Sequence, residues 1–156
     1  MKGRFLILCM AVTIGFLACN KAPNGASKIP SITFLSVNPD QVRQGVSDDT
    51  AWISFKFEDG DANINTNGQQ ANIILRDLRN DQILNFSFPP IPEGFKDPVK
   101  GMKGTCVVGI SGAILQLRDT IGGRTKDTVA YEIYILDEDN QKSNIVTTSP
   151  IYMEKI

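Results

Sequence analysis

Residues 55–67 read FKFEDGDANINTN, an alternating apolar strand that runs straight into oxygen-bearing side chains. Asp59, Asp61, Asn63, Asn65 and Asn67 place an oxygen at every second position, and Gly60 permits the tight backbone that lets successive groups curl round one point. Calcium takes about six to eight such oxygens at roughly 2.3 to 2.6 Å and tolerates irregular geometry, so the stretch has the chemistry of a cation loop. It is not an EF-hand. Counting from Asp59, the required glycine falls on Ile64 and the required bidentate glutamate on Gln70. A second acidic run, Asp137, Glu138, Asp139 and Asn140, lies far away in the chain. Two other readings stand beside calcium: a solvated turn, because Asp, Asn and Gly are ordinary turn residues, or a different hard cation.

Other chemistry is thinly represented. The chain of 156 residues has no histidine, which excludes Ser-His-Asp and Cys-His machinery and removes the commonest zinc ligand. An enzyme would have to work with carboxylates, such as Glu58 with Asp137 or Glu138. Nothing in the sequence sets their separation, and a small β-domain seldom provides the cleft, so no catalytic activity is expected. The longest stretch without strand pattern, residues 89–104, carries Phe95, Lys96, Lys100 and Lys103. It reads either as a binding loop for a glycan or protein surface, or as a loop that Phe95 pins to the domain. Trp52 and Tyr134, on the outward parity of their strands, invite the same pair of readings.

Residues 1–18 form an export leader: Lys2 and Arg4, an apolar run, then Ala18 before Cys19. Residues 15–19, Gly-Phe-Leu-Ala-Cys, resemble the bacterial lipobox, which implies that Cys19 becomes a lipidated N-terminus; a plain secreted chain and a short membrane anchor are the alternatives. Loss of Lys2 and Arg4 changes the balance from 16 basic against 17 acidic residues to 14 against 17. With no basic patch, a nucleic-acid partner is not expected. Cys9 leaves with the leader and Cys19 carries lipid, so Cys106 has no disulfide partner and reads as a small buried hydrophobe. Residues 19–30, polar and small with two prolines, have the composition of a flexible tether.

Residues 31–156 then alternate in short strands between turn residues. Ile32 and Phe34 belong to the first, Ile53, Phe55 and Phe57 to the second, Ile73 and Leu75 to the third, and Leu84, Phe86 and Phe88 to the fourth. Cys106, Val108 and Ile110 mark the fifth, Val129, Tyr131, Ile133 and Ile135 the sixth, and residues 145–152 the seventh. Seven alternating strands without a convincing amphipathic helix predict an all-β fold, a seven-stranded immunoglobulin-like antiparallel sandwich. In that fold the loops after the second and sixth strands share one end, which would bring Asp59, Asp61 and Asn63 beside Asp137 and Asp139, at the tether side.

Asp127-x-Val129-x-Tyr131 resembles the tyrosine corner of immunoglobulin domains. The leader, short linker, first strand and following F-x-D-G-D together resemble small Ig-like lipoproteins of Bacteroidota, many of which carry a fuller D-G-D-G-D-I-G. Asp59, Gly60, Asp61 and Ile64 match that motif, while Ala62 replaces a glycine and Asn63 an aspartate. Surface-displayed lipoproteins of such bacteria often show an acidic run after the lipidated cysteine. Its absence here implies, by that resemblance, a lipid-anchored protein on the periplasmic face of the outer membrane. The expectation is a non-catalytic envelope module, an interaction or structural domain whose partner is an unidentified envelope protein or glycan, with a candidate calcium site at its tether end. The alternative is an accessory carbohydrate-binding lipoprotein, marked by solvent-facing aromatics aligned on one sheet or around the loop of residues 89–104.

Overall fold

A computed structural model describes residues 25–65, 68, 70–118 and 123–156. The expected leader 1–18, the lipidation site Cys19, the first part of the tether and Asn67 lie outside the described residues. The strands, in chain order, are β1 (Ser31–Asn38), β2 (Gln41–Gln44), β3 (Thr50–Asp59), β4 (Ile73–Asp77), β5 (Ile83–Phe86), β6 (Met102–Ser111), β7 (Lys126–Val129), β8 (Tyr131–Ile135), β9 (Val146–Thr147) and β10 (Ile151–Lys155). Among the described residues the only helical piece is a 3-10 turn at Glu93–Phe95, so the chain is all-β.

These strands form three sheets, ordered β1-β3-β6, β2-β10-β7 and β5-β4-β8-β9. All neighbours are antiparallel except β10 with β2, which are parallel. The expected count of seven strands is therefore corrected to ten. Two expected strands are each divided between sheets. At Ala130 the chain leaves β7, paired with β10, and enters β8, paired with β4; Pro150 separates β9 from β10 in the same way. The extra strand, β2, has one buried residue, Val42, and its backbone is held by β10 rather than by an apolar row of its own.

Strand β3 shows why the elements form. Its ten residues alternate, with Ala51, Ile53, Phe55 and Phe57 buried and Trp52, Lys56 and Glu58 exposed, the period of a strand with one wet face. The inward rows of all three sheets share one core that includes Phe55, Val108, Leu75, Ile133, Val129 and Ile151. Phe88 lies beyond the end of β5 yet is buried, edge-on to Phe57 at 5.0 Å between ring centroids. Its backbone N–H donates to Asn72 Oδ1, which keeps the residue inside.

The pairing also fixes one pole. The end of β3 lies beside the starts of β1 and β6, through Ser31 opposite Glu58 and Met102 opposite Asp59. The end of the expected tether is held there: Ser27 O accepts the Gly60 N–H at 3.0 Å, and Pro30 is buried. The segment expected to be flexible through residue 30 thus has its last residues fixed to the domain, because Gly60 finds a backbone acceptor in them.

Candidate functional site

Asp59 and Asp137 stand where core-facing rows run out. The buried row of β3 ends on Asp59, and the buried row of β8, Tyr131, Ile133 and Ile135, leads one step past the strand to Asp137. Period-two geometry therefore buries both carboxyl groups, at 3% and 1% exposure. Each uses one oxygen to fix its own loop. Asp59 Oδ2 accepts the Asn63 N–H at 2.8 Å, and Asp137 Oδ1 accepts the Gln141 N–H at 2.7 Å.

The two loops meet. Asn63 O accepts the Glu138 N–H at 3.1 Å, and Asn63 Nδ2 donates to Asp139 Oδ2 at 3.2 Å. That second bond fixes the amide, since a flipped Asn63 would set two oxygens against each other. Four buried side-chain oxygens in this cluster have no hydrogen-bond partner: Asp59 Oδ1, Asp61 Oδ1, Asn63 Oδ1 and Asp137 Oδ2. Asp139 stands just outside that set and orients Asn63. The bends are backbone-constrained, with Ala62 at φ 58° and Asn140 at φ 60°.

Such an arrangement is electrostatically costly for carboxylates alone. Burial, then repulsion from Asp61 and Asp137, pushes Asp59 up to about 7. Asp137 is also raised, first by burial, with Asp139 and Asp61 adding repulsion. No lysine or arginine forms an ion pair with Asp59, Asp61 or Asp137 among the described residues.

A second buried acidic cluster, which the sequence reading missed, is the contrasting case. Asp77 ends the buried row of β4 and Asp127 sits on β7, and both are nearly fully buried. Arg79, its side chain 7% exposed, bridges them at 2.6 and 2.9 Å, and Arg118 adds a bond to Asp127 at 2.9 Å. Although burial alone raises Asp127, hydrogen bonds from Arg118 and from backbone N–H groups hold it well below the usual carboxylate range. A signal was available in the sequence: like Asp59, Asp77 carries a carboxylate on the core parity of a strand end.

The orphan oxygens suit calcium. They are hard donors, three from carboxylates and one from an amide, and calcium completes its shell with backbone oxygens or water. Among the described residues no group of three or more His, Cys, Asp or Glu side chains is so placed that it could hold a metal ion by itself. A cation at this cluster would need the Asn63 amide oxygen as well as the carboxylates.

The other expected sites fall elsewhere. Phe95 is 67% exposed, so it does not pin its loop; Ile91 and Phe88 do, packed on or in the core. Lys100 is exposed beside Asp97, and Lys96 is half-buried. Trp52, Tyr134 and Tyr152 belong to three different sheets, so these aromatics do not line up on one face. Tyr134 is covered by Lys142, its Nζ 3.8 Å from the ring centroid. Cys106 is buried and free, and burial pushes its thiol up to about 11, as expected of a core residue. Glu58 is exposed on the opposite parity of β3 from Asp59, so it does not face Asp137 as a paired acid. No helix among the described residues is long and apolar enough to cross a membrane.

No family model matches the chain, and no curated protein matches it. Among solved structures it is similar to the Pseudomonas fluorescens alkylpurine DNA glycosylase AlkC bound to DNA containing an abasic site analog, at 12% identity and a TM-score of 0.42. The match covers 86% of this chain, which spans only 32% of that one. The expectation of a chain without catalytic activity is corrected on this finding and withdrawn, because the matched structure is an enzyme. Likeness at this level carries no activity across, so no reaction is put in its place.

Proposed function

We propose that the protein is a lipid-anchored envelope module: an immunoglobulin-like β-domain, tethered by Cys19 to the outer membrane and facing the periplasm, with calcium bound at the tether-side pole. Asp59, Asp61, Asn63 and Asp137 supply the ligands and Asp139 orients Asn63. Bound calcium neutralises the buried oxygens and ties residues 59–63 to residues 137–141. The sheet orders β1-β3-β6 and β5-β4-β8-β9, with β2 parallel to β10, support the immunoglobulin-like reading.

One observation carries the calcium assignment: four buried oxygens from two distant loops converge without a hydrogen-bond partner, while an arginine-paired acidic cluster elsewhere in the same chain is satisfied. A buried polar group left unpaired costs roughly 1–3 kcal/mol, more if charged, so a native fold needs something to meet these atoms.

The test is calorimetric titration of calcium and magnesium into chelator-treated protein. Calcium is expected to bind at one site with heat that Asp59→Asn and Asp137→Asn abolish, and with tighter affinity than magnesium. Absence of calcium binding by folded natural protein overturns the assignment. Intact-mass measurement tests the anchor separately, since diacylation of Cys19 adds a lipid mass that Cys19→Ser lacks.

A further inference from the structure

We infer that the tether-side pole is itself a membrane-contact surface, in which Phe95 and Val99 enter the headgroup region of a bilayer and Lys96, Lys100 and Lys103 pair with anionic lipid phosphates. This rests on the lipid anchor proposed above and adds a second point of attachment.

Apart from Ile156 near the C-terminus, Phe95 and Val99 are the most exposed large apolar side chains among the described residues, at 67% and 59%. They lie four residues apart on one loop, with Lys96 between them, Lys100 directly after Val99 and Lys103 at the start of β6. An apolar tip with lysines beside it fits the water–lipid boundary, where aliphatic and aromatic groups leave water and ammonium groups stay with phosphate.

The loop is already built. Phe95 N–H donates to Pro92 O at 2.9 Å, Gly101 N–H to Asp97 O at 2.7 Å, and Asp97 Oδ1 accepts the Val99 and Lys100 N–H groups at 2.8 and 3.1 Å. At Gly101, φ is 77°, and a Cβ would run into the Asp59 carbonyl, so the base of the loop lies directly against the end of β3. Contact with a surface then orders little further chain.

Position selects the occupant. Ala26, Ser27 and Ile29 line one depression with Lys100 and Lys103, so the segment leading back to Cys19 leaves the domain beside this loop. Cys19 is six residues before Gly25, a reach of about 20 Å when extended. A bilayer holding lipid on Cys19 is therefore within range of the pole that carries Phe95 and the lysines. The acids of the same pole oppose an anionic surface, so the test is run in millimolar calcium.

Trp52 is the only tryptophan and lies on β3, where it is half-exposed. In full-length lipidated protein carrying Trp52→Phe and Phe95→Trp, the single indole reports on the loop. With vesicles of phosphatidylethanolamine and phosphatidylglycerol whose acyl chains are brominated near the carbonyl, its emission is expected to shift to the blue and fall at least twofold. Trp52 in the natural chain is expected to change little. Adding Lys96→Glu and Lys100→Glu should return the loop indole to water-like emission. Phe95→Trp with Trp52 retained reads the same effect as a rise in the quenched fraction over the natural chain. A loop indole that brominated lipid leaves unquenched, or equal quenching of Trp52, overturns the proposal. A chain whose Cys19 is unmodified by mass fails the anchor reading alone, and the loop is then judged on added vesicles.

Discussion

Raising the pH from about 5 to about 8 in the presence of a chelator is expected to weaken this protein, the reverse of the usual behaviour of buried, paired carboxylates. Asp59 is moved from an ordinary value of 3.8 to about 7 in the folded state. The folded chain therefore holds that proton more tightly than the unfolded chain, so its contribution is fully present below about pH 4 and is lost as the pH rises through about 7. Integrated over the window from pH 5 to pH 8, the shift amounts to about 2–3 kcal/mol for this one carboxyl. Asp137, also raised, acts with the same sign. For a domain of this size the loss corresponds to a fall in Tm of about 10 °C. Asp127 does not confuse the result, because its lowered value puts its own loss of stability at acid pH. Calcium should cancel the slope: it requires the ionised carboxylates, and at a free concentration near 100 Kd it stabilises by about 2.7 kcal/mol. Melts followed by circular dichroism at the two pH values, with chelator and with calcium, read both effects. Asp59→Asn should flatten the chelator slope. A Tm that stays level or rises with pH in chelator would refute the buried-repulsion argument, and identical falls in chelator and calcium would refute the metal.

Two further outcomes follow from the geometry. Arg79→Ala leaves Asp77 and Asp127 buried without their shared guanidinium and should cost about 3–5 kcal/mol in urea unfolding, whereas Arg76→Ala, on the more exposed pair with Glu132 and Asp81, should cost less than about 1 kcal/mol. Ala62→Gly should change stability by less than about 1 kcal/mol in either direction, because relief of φ 58° is offset by the lost burial of the methyl and the added freedom of glycine in the unfolded chain; a loss above about 1.5 kcal/mol in the same assay would show that the backbone there is unstrained.

Strand rows such as Ile53-Phe55-Phe57 and Ile133-Ile135 were readable because burial alternates along them. The sheet change at Ala130 was not, since Val129 and Tyr131 keep the same parity through the crossover and a periodic pattern carries no mark of which neighbour a strand pairs with. Strand β2 was invisible for a different reason: Gln41, Arg43 and Gln44 pair through backbone atoms, which side-chain types do not encode. The meeting of residues 59–63 with 137–141 followed from loop order, but the inward aim of Asp59 and Asp137 needed their parity to be counted past the apolar residues. Arg79 escaped because it sits in a polar turn after β4, where arginine ordinarily faces water, and only the depth of Asp77 and Asp127 draws it inside. The exposure of Phe95 depended on Ile91 and Phe88 having already filled the space beneath the loop.

The way the chain enters and leaves the fold sets how it bears mechanical load. β1 begins at the pole where residues 27–30 meet the end of β3, while Lys155 of β10 lies opposite Gln44 and the neighbouring Glu154 opposite Lys126, away from it. A pull between the two termini runs along β1 and β10 rather than across them. The rungs joining β1 to β3 and β10 to β2 are then strained together and must shear as a set, so the fold resists a pull along its first and last strands more than one that would peel them off.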